Sequence, residues 1–113
     1  ERIQKALESI DGVRVVNERP EAETSWFGVP TVCEDNNLKR SLVAYLEENK
    51  IQTRNYFAGN ILLHPGYRDL GKASDYPNAN QVLDKVFFLG CSPTIHEKML
   101  QYIEKVIGNY VSN

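Results

Sequence analysis

Apolar side chains at Ile3, Leu7 and Ile10 recur at spacings of four and three, the period of one helix face. They predict a first helix that ends near Asp11-Gly12, followed by a short strand at Val13-Arg14-Val15-Val16. Polar residues 17–23, with Pro20 among them, read as a loop. Ser25 to Cys33 is rich in aromatic and β-branched residues and predicts a second strand. Pro30 has no N–H to donate, which predicts an edge, a bulge or a strand end at that point. Asn36 or Asn37 is positioned to cap a helix whose Leu38, Leu42, Tyr45 and Leu46 share one face. Lys39, Arg40, Glu47 and Glu48 fall off that face. Asn49-Lys50 closes the helix, and Ile51-Gln52-Thr53-Arg54 enters a third strand.

Between Tyr56 and Tyr76 the periodicity is lost. Glycines and prolines interrupt it, yet Phe57, Ile61, Leu62, Leu63 and Tyr67 remain as apolar anchors, which favours an ordered functional loop over a disordered one. Asn78 can cap a short helix carrying Val82 and Leu83. Val86-Phe87-Phe88-Leu89 is a continuous apolar run of the kind found in buried central strands. Thr94-Ile95-His96-Glu97 has capping-box spacing, with Pro93 ahead of it discouraging helix at Ser92. A last helix then carries Ile95, Met99, Tyr102, Ile103, Val106 and Ile107 as one core stripe, with Gly108 as its stop. Strands near 13–16, 25–33, 51–55 and 86–90, interleaved with helices, predict a small α/β (α+β) domain. Its sheet is expected to be mainly antiparallel, with helices packed on one side.

Composition narrows the function classes. The 113 residues suit a single domain, and 42% apolar with 25% charged residues is ordinary for a globular protein. A net charge of −2 with interspersed signs gives no footprint for nucleic acid or an anionic membrane surface. The chain opens on Glu1 within a helical pattern and shows no signal-peptide pattern. An excised C-terminal piece in a reducing cytoplasm is therefore expected, with processing of a mature protein as the competing explanation. Cys33 and Cys91 lie in strand-like segments, where buried free thiols are common. They could form one disulfide, but with His64 and His96 they lack metal-ligand spacing.

One segment concentrates binding chemistry. Thr53-Arg54-Asn55-Tyr56-Phe57-Ala58-Gly59-Asn60 leads on to His64-Pro65-Gly66-Tyr67. Arg54 offers a planar fork for carboxylate or phosphate oxygens, Tyr56 and Phe57 offer flat faces for a sugar or base, and Asn60 can both donate and accept. The alternative is a turn whose aromatics plug the core and whose arginine pairs with a surface carboxylate. His96, in the capping turn, reads as an exposed helix-start residue.

Ser25-Trp26-Phe27-Gly28-Val29-Pro30, Leu42 to Leu46, Ile51-Gln52-Thr53-Arg54, Phe57-Ala58-Gly59-Asn60 and Pro65-Gly66-Tyr67 together resemble the C-terminal domain of the DegT/DnrJ/EryC1/StrS family. The likeness runs from about Trp26 to Ile107. It is nearest the dehydrase branch, typified by the CDP-4-keto-6-deoxyglucose-3-dehydrase of lipopolysaccharide O-antigen synthesis. Leu62 stands where aminotransferase members tend to carry histidine, and His64 directly precedes Pro65, where glutamine is usual. The Leu89-Gly90-Cys91-Ser92-Pro93 segment also departs from the aminotransferase pattern. These departures favour dehydrase over transaminase.

The resemblance implies that residues 1–113 are the small C-terminal domain of a fold-type I enzyme using pyridoxal or pyridoxamine phosphate (PLP/PMP), with residues 1–11 leading in from a larger cofactor-binding domain. The implied reaction removes the 3-hydroxyl of a nucleotide-linked 4-keto-6-deoxyhexose. Its base, its phosphate cradle and any iron–sulfur cluster would lie upstream of this chain, in a homodimer served by a reductase partner. Arg54, Phe57 and Asn60, then Tyr56 and His64, are the substrate-side candidates, and the isolated chain is expected to be inactive. A nucleotide-sugar aminotransferase and a stand-alone binding module stay open as alternatives.

Overall fold

Side-chain alternation in four short strands decides the architecture. In the computed structural model, which describes residues 1–112, the order is α1 (Arg2–Glu8), β1 (Val13–Val15), β2 (Gly28–Cys33), α2 (Asn36–Glu48), β3 (Thr53–Asn55), α3 (Pro77–Lys85), β4 (Val86–Gly90) and α4 (Glu97–Val111). Three single 3₁₀ turns, Ile61–Leu63, Arg68–Leu70 and Ala73–Asp75, fill the segment between β3 and α3. The strands form one antiparallel sheet in the order β1-β2-β4-β3. Val15, Val29, Cys33, Phe87 and Leu89 point to one face, where Ile3 and Leu7 of α1, Leu42 and Leu46 of α2, and Val106 and Ile107 of α4 close the core. Among the described residues no helix is long and apolar enough to cross a membrane.

The other face carries Arg14, Val32 and Val86 in one cross-strand row and Pro30, Phe88 and Arg54 in the next. No core helix covers it.

Pro30 lies inside a strand paired on both sides, not at an edge or bulge, and the register explains why this is tolerated. Its carbonyl accepts from Val16 N at 3.1 Å, so its backbone polar groups aim at β1. The reciprocal bond that a narrow antiparallel pair would complete needs the missing N–H, and β1 stops there. Phe88, opposite Pro30 on β4, sits at the pair position that demands no bond from it.

Helix ends follow tertiary partners as much as local code. The cap of α2 is Asp35, one residue ahead of the predicted asparagines, and its carboxylate accepts from Leu38 N at 2.8 Å. Asn36 instead donates to the Asp84 carbonyl at 2.8 Å. Lys39 is buried, contrary to its solvent-side reading, and its ammonium donates to the Leu83 carbonyl at 2.6 Å, tying α2 to α3. At the other end Ile51 N donates to Leu46 O and Lys50 N to Glu47 O, with Lys50 at φ 61°, the Schellman pattern with lysine in place of glycine. α3 starts with Pro77 in its first turn, so Asn78 lies inside the helix instead of capping it.

The capping box before α4 does not form. Thr94 is held in a turn by the Ser92 hydroxyl at 2.8 Å, His96 occupies the cap position without a side-chain bond, and the Glu97 carboxylate accepts from Arg2 at 2.7 Å and Gln101 at 2.9 Å. Nor does Gly108 stop the helix, which continues to Val111. A mid-helix glycine costs only about 1 kcal/mol. Beyond it Tyr110 packs its ring 5.1 Å from that of Tyr45 and meets the Ser41 hydroxyl at 2.8 Å. Met99 and Tyr102, read as core, are half-exposed, so the stripe is buried only toward Val106 and Ile107.

β3 is an edge strand, and its free side is blunted from within the chain. Glu47 Oε1 accepts from both the N–H and the hydroxyl of Thr53, at 2.6 and 2.7 Å, and Arg54 donates to the Thr53 carbonyl at 3.0 Å. The two bonds from Thr53 hold the Glu47 carboxyl below its ordinary value of 4.5. Bonds from Arg2 do the same for Glu97 and Glu104, which join α1 to α4. Depressed folded-state values contribute stability above about pH 4.5 that is lost as pH falls through them. The denaturation midpoint should therefore drop as the pH falls below about 4.5, and Glu47→Leu should shrink that drop while favouring self-association through the exposed edge. Light scattering with a urea titration at each pH measures both.

Candidate functional site

The open face of the sheet gathers aromatics around one buried ring. Phe88 points away from the helices, and three residues close over it from two directions. Phe27, just before β2, lies 5.7 Å from it between ring centroids; Phe57 and Tyr56, just after β3, lie at 5.6 and 6.2 Å, both edge-on. Phe27 and Phe57 also meet each other at 6.2 Å. Such tilted contacts suit the ring quadrupoles. Phe27 and Phe57 nevertheless remain 77% and 69% exposed, so this is a wall and not a core.

Beside the wall runs a groove of about 430 Å³ lined by Trp26, Phe27, Gln52, Arg54, Phe88 and Cys91, among others. Arg54 is exposed and makes no ion pair among the described residues. Its guanidinium donates to the Thr53 carbonyl, and a Gln52 amide turned to accept would meet it at 2.7 and 3.1 Å. An exposed guanidinium is chemically suited to donate to carboxylate, phosphate or hydroxyl oxygens. The Cys91 thiol donates to the Trp26 carbonyl at 2.9 Å and is raised by burial, while burial in β2 pushes Cys33 up to about 11. Neither is a thiolate at neutral pH, and both are free of disulfide. Among the described residues no three His, Cys, Asp or Glu side chains converge on a point.

Arg54, Tyr56 and Phe57 therefore come together, and two other residues singled out from the sequence do not join them. Asn60 is 3% exposed, its amide donating to Ala73 O at 3.1 Å and Asn80 Oδ1 at 2.9 Å while its oxygen accepts from Leu62 N. It organises the loop from inside, buried and with both amide hydrogens committed. His64 meets the Ala58 carbonyl at 3.2 Å, on the loop and off the wall. Just ahead of Asn60, Gly59, at φ +67°, lets the backbone approach α3 so closely that a Cβ would lie 2.8 Å from Leu83. Phe27, Phe88 and Trp26 are wall residues that sequence reading assigned only to strands.

The family model described as the DegT/DnrJ/EryC1/StrS aminotransferase family matches residues 1–107. The chain belongs to that family. Among curated proteins it is 31% identical, over 98% of its length, to a dTDP-4-dehydro-2,6-dideoxy-D-glucose 3-dehydratase of Saccharopolyspora spinosa, of which it covers 25%. It is 35% identical, over 76% of its length, to the lipopolysaccharide biosynthesis protein RfbH of Salmonella typhimurium, of which it covers 22%. The chain thus spans about a quarter of these relatives. Its fold matches a stretch of the aminotransferase TlmJ of Streptoalloteichus hindustanus with a TM-score of 0.77 at 19% identity, over 98% of this chain and 28% of that one. It also matches the E. coli GDP-4-keto-6-deoxy-D-mannose-3-dehydratase, solved with hydrated PLP, with a TM-score of 0.73 at 19% identity, over 94% and 28%.

Proposed function

We propose that this chain forms the substrate-side wall of the active site in a PLP-dependent enzyme that dehydrates a nucleotide-linked 4-keto-6-deoxy sugar at carbon 3. The observation that carries the reading is the exposed aromatic wall with Arg54 beside it, on the one sheet face that no core helix covers. Phe27, Tyr56 and Phe57 would stack on the apolar face of the sugar and exclude water, while Arg54 orients it through charge-assisted hydrogen bonds. The wall does not fit the cofactor itself: among the described residues no lysine lines it, and the buried Lys39 is committed to the Leu83 carbonyl. Cofactor binding, the catalytic base and any iron–sulfur cluster are accordingly assigned to residues outside this stretch, in a homodimer whose interface lies near this domain and which a reductase partner serves. The dehydratase relatives support dehydration over transamination.

The experiment is steady-state kinetics of the intact protein with CDP-, dTDP- and GDP-linked 4-keto-6-deoxy sugars, products being read by mass spectrometry. Phe57→Ala and Arg54→Gln should each lower kcat/KM about 10-fold or more, the kinetic equivalent of one lost contact of ~1.4 kcal/mol. Unchanged kcat/KM in both variants would remove the wall from the active site. An amino-sugar product formed with glutamate, in place of a 3-deoxy product, would make the protein an aminotransferase.

A further inference from the structure

The hydrogen bonds around Arg54 use up one end of its guanidinium and spare one edge. Gln52, just before β3, and Arg54 flank Thr53, so alternation turns both toward the open face while Thr53 is buried. Both line the groove of about 430 Å³ beside the aromatic wall. With its oxygen turned to accept, the Gln52 amide bridges the end of the guanidinium, 3.1 Å from Nη1 and 2.7 Å from Nη2. Nη1 also donates to the Thr53 carbonyl at 3.0 Å. That carbonyl is itself well placed, because Glu47 holds the N–H and hydroxyl of the same residue at 2.6 and 2.7 Å. Among the described residues these bonds leave one Nη2–H and the Nε–H uncommitted. The two stand side by side, a pair of parallel donors that suits two oxygens of one ligand.

We infer that Gln52 is a positioning residue for Arg54: it occupies the Nη1–Nη2 end of the guanidinium, so that the Nε–Nη2 edge meets two neighbouring oxygens of the sugar. An exposed arginine has many rotamers and can offer any of its edges. Bonds that fix the group before substrate arrives remove wrong presentations and spare the ordering cost at binding. A neutral acceptor does this without compensating the charge, in contrast to Arg2, whose guanidinium is held by the carboxylates of Glu97 and Glu104. Gln52 thus orients the cation and leaves it strong enough to polarise its donors toward the substrate. The inference rests on the substrate-wall reading and deepens it, since it names the residue that selects which donors Arg54 presents.

The test is steady-state kinetics of the intact protein on the 4-keto-6-deoxy sugar nucleotide that it turns over, with thermal midpoint and bound PLP measured for each variant. Gln52→Leu, similar in size but without an acceptor, should lower kcat/KM about 5-fold. Its midpoint and PLP content should not move, because the side chain is exposed. Gln52→Glu keeps an acceptor at the same reach and should recover most of that loss, to within about 2-fold of the unsubstituted protein. In the Arg54→Gln background Gln52→Leu should have no further effect, since the group it positions is gone. A full additional loss in that background would overturn the positioning role, and so would a Gln52→Glu variant as impaired as Gln52→Leu. Unchanged kcat/KM in Gln52→Leu beside a clear loss in Arg54→Gln would also overturn it, while leaving the substrate-wall reading intact. Unchanged kcat/KM in both Arg54→Gln and Phe57→Ala would remove the wall and the positioning role together.

Discussion

Replacing Phe87 by alanine is expected to destabilise the chain by about 3–5 kcal/mol, enough to unfold much of a domain whose total stability is about 5–15 kcal/mol. Phe87 is the largest side chain with no exposed surface, in the middle of β4, with β2 and β3 on either side. The helices α1, α2 and α4 contribute to the same cluster, so removing the ring unseats all of them from the sheet together. The void cannot be filled cheaply, because its neighbours Leu7, Leu42, Leu46 and Ile107 are themselves fully buried. Phe87→Leu keeps most of the volume and should cost appreciably less. Urea denaturation followed by far-ultraviolet circular dichroism measures both variants. A cost below about 1 kcal/mol for the alanine variant would mean that Phe87 does not organise this core.

The same pair of adjacent phenylalanines marks where sequence reading stops. Val86 to Leu89 is legible as a buried central strand because nothing polar interrupts it, and that is what β4 is. The continuity of the run conceals that Phe87 faces the helices while Phe88 faces the open side, since period-two alternation carries information only when one face is polar. The first helix and the strand–helix–strand unit around α2 were readable from local periodicity, and the antiparallel sheet from the few strands interleaved with helices expected on one side. Misreadings fall where a partner distant in sequence intervenes. Glu97 is drawn off to Arg2, Thr94 to Ser92, and Tyr110 holds α4 together past Gly108.

The candidate site divides in the same way. Arg54, Tyr56 and Phe57 stand out in sequence because they cluster at the end of one strand. Asn60 looks like a ligand contact by residue type, yet Ala73 and Asn80 consume its amide, and no local pattern announces partners so far along the chain.

Gly28→Ala should have the second large effect, because at this position the sheet and the wall share one contact. A Cβ on Gly28 would lie 2.4 Å from Phe88 Cδ2 and 2.9 Å from the Leu89 carbonyl oxygen. The ring could swing away from the first, but the second is backbone of the paired strand, so β2 and β4 must separate or Phe88 must leave its place under Phe27, Tyr56 and Phe57. Overpacking of this kind costs about 1–3 kcal/mol. Gly90, directly opposite on β4, has no atom within 4 Å of its own Cβ position, which makes Gly90→Ala a control at the same height of the sheet. Trp26 is the only tryptophan, and it lines the groove beside Phe88, so its emission reports the wall's geometry. Gly28→Ala is expected to lower the denaturation midpoint and shift Trp26 emission, and in the intact protein to lower kcat/KM for the sugar. Gly90→Ala should leave all three nearly unchanged. Equal effects from the two substitutions would show that glycine is needed there for strand flexibility alone, and that the close seating of Phe88 on Gly28 does not shape the wall.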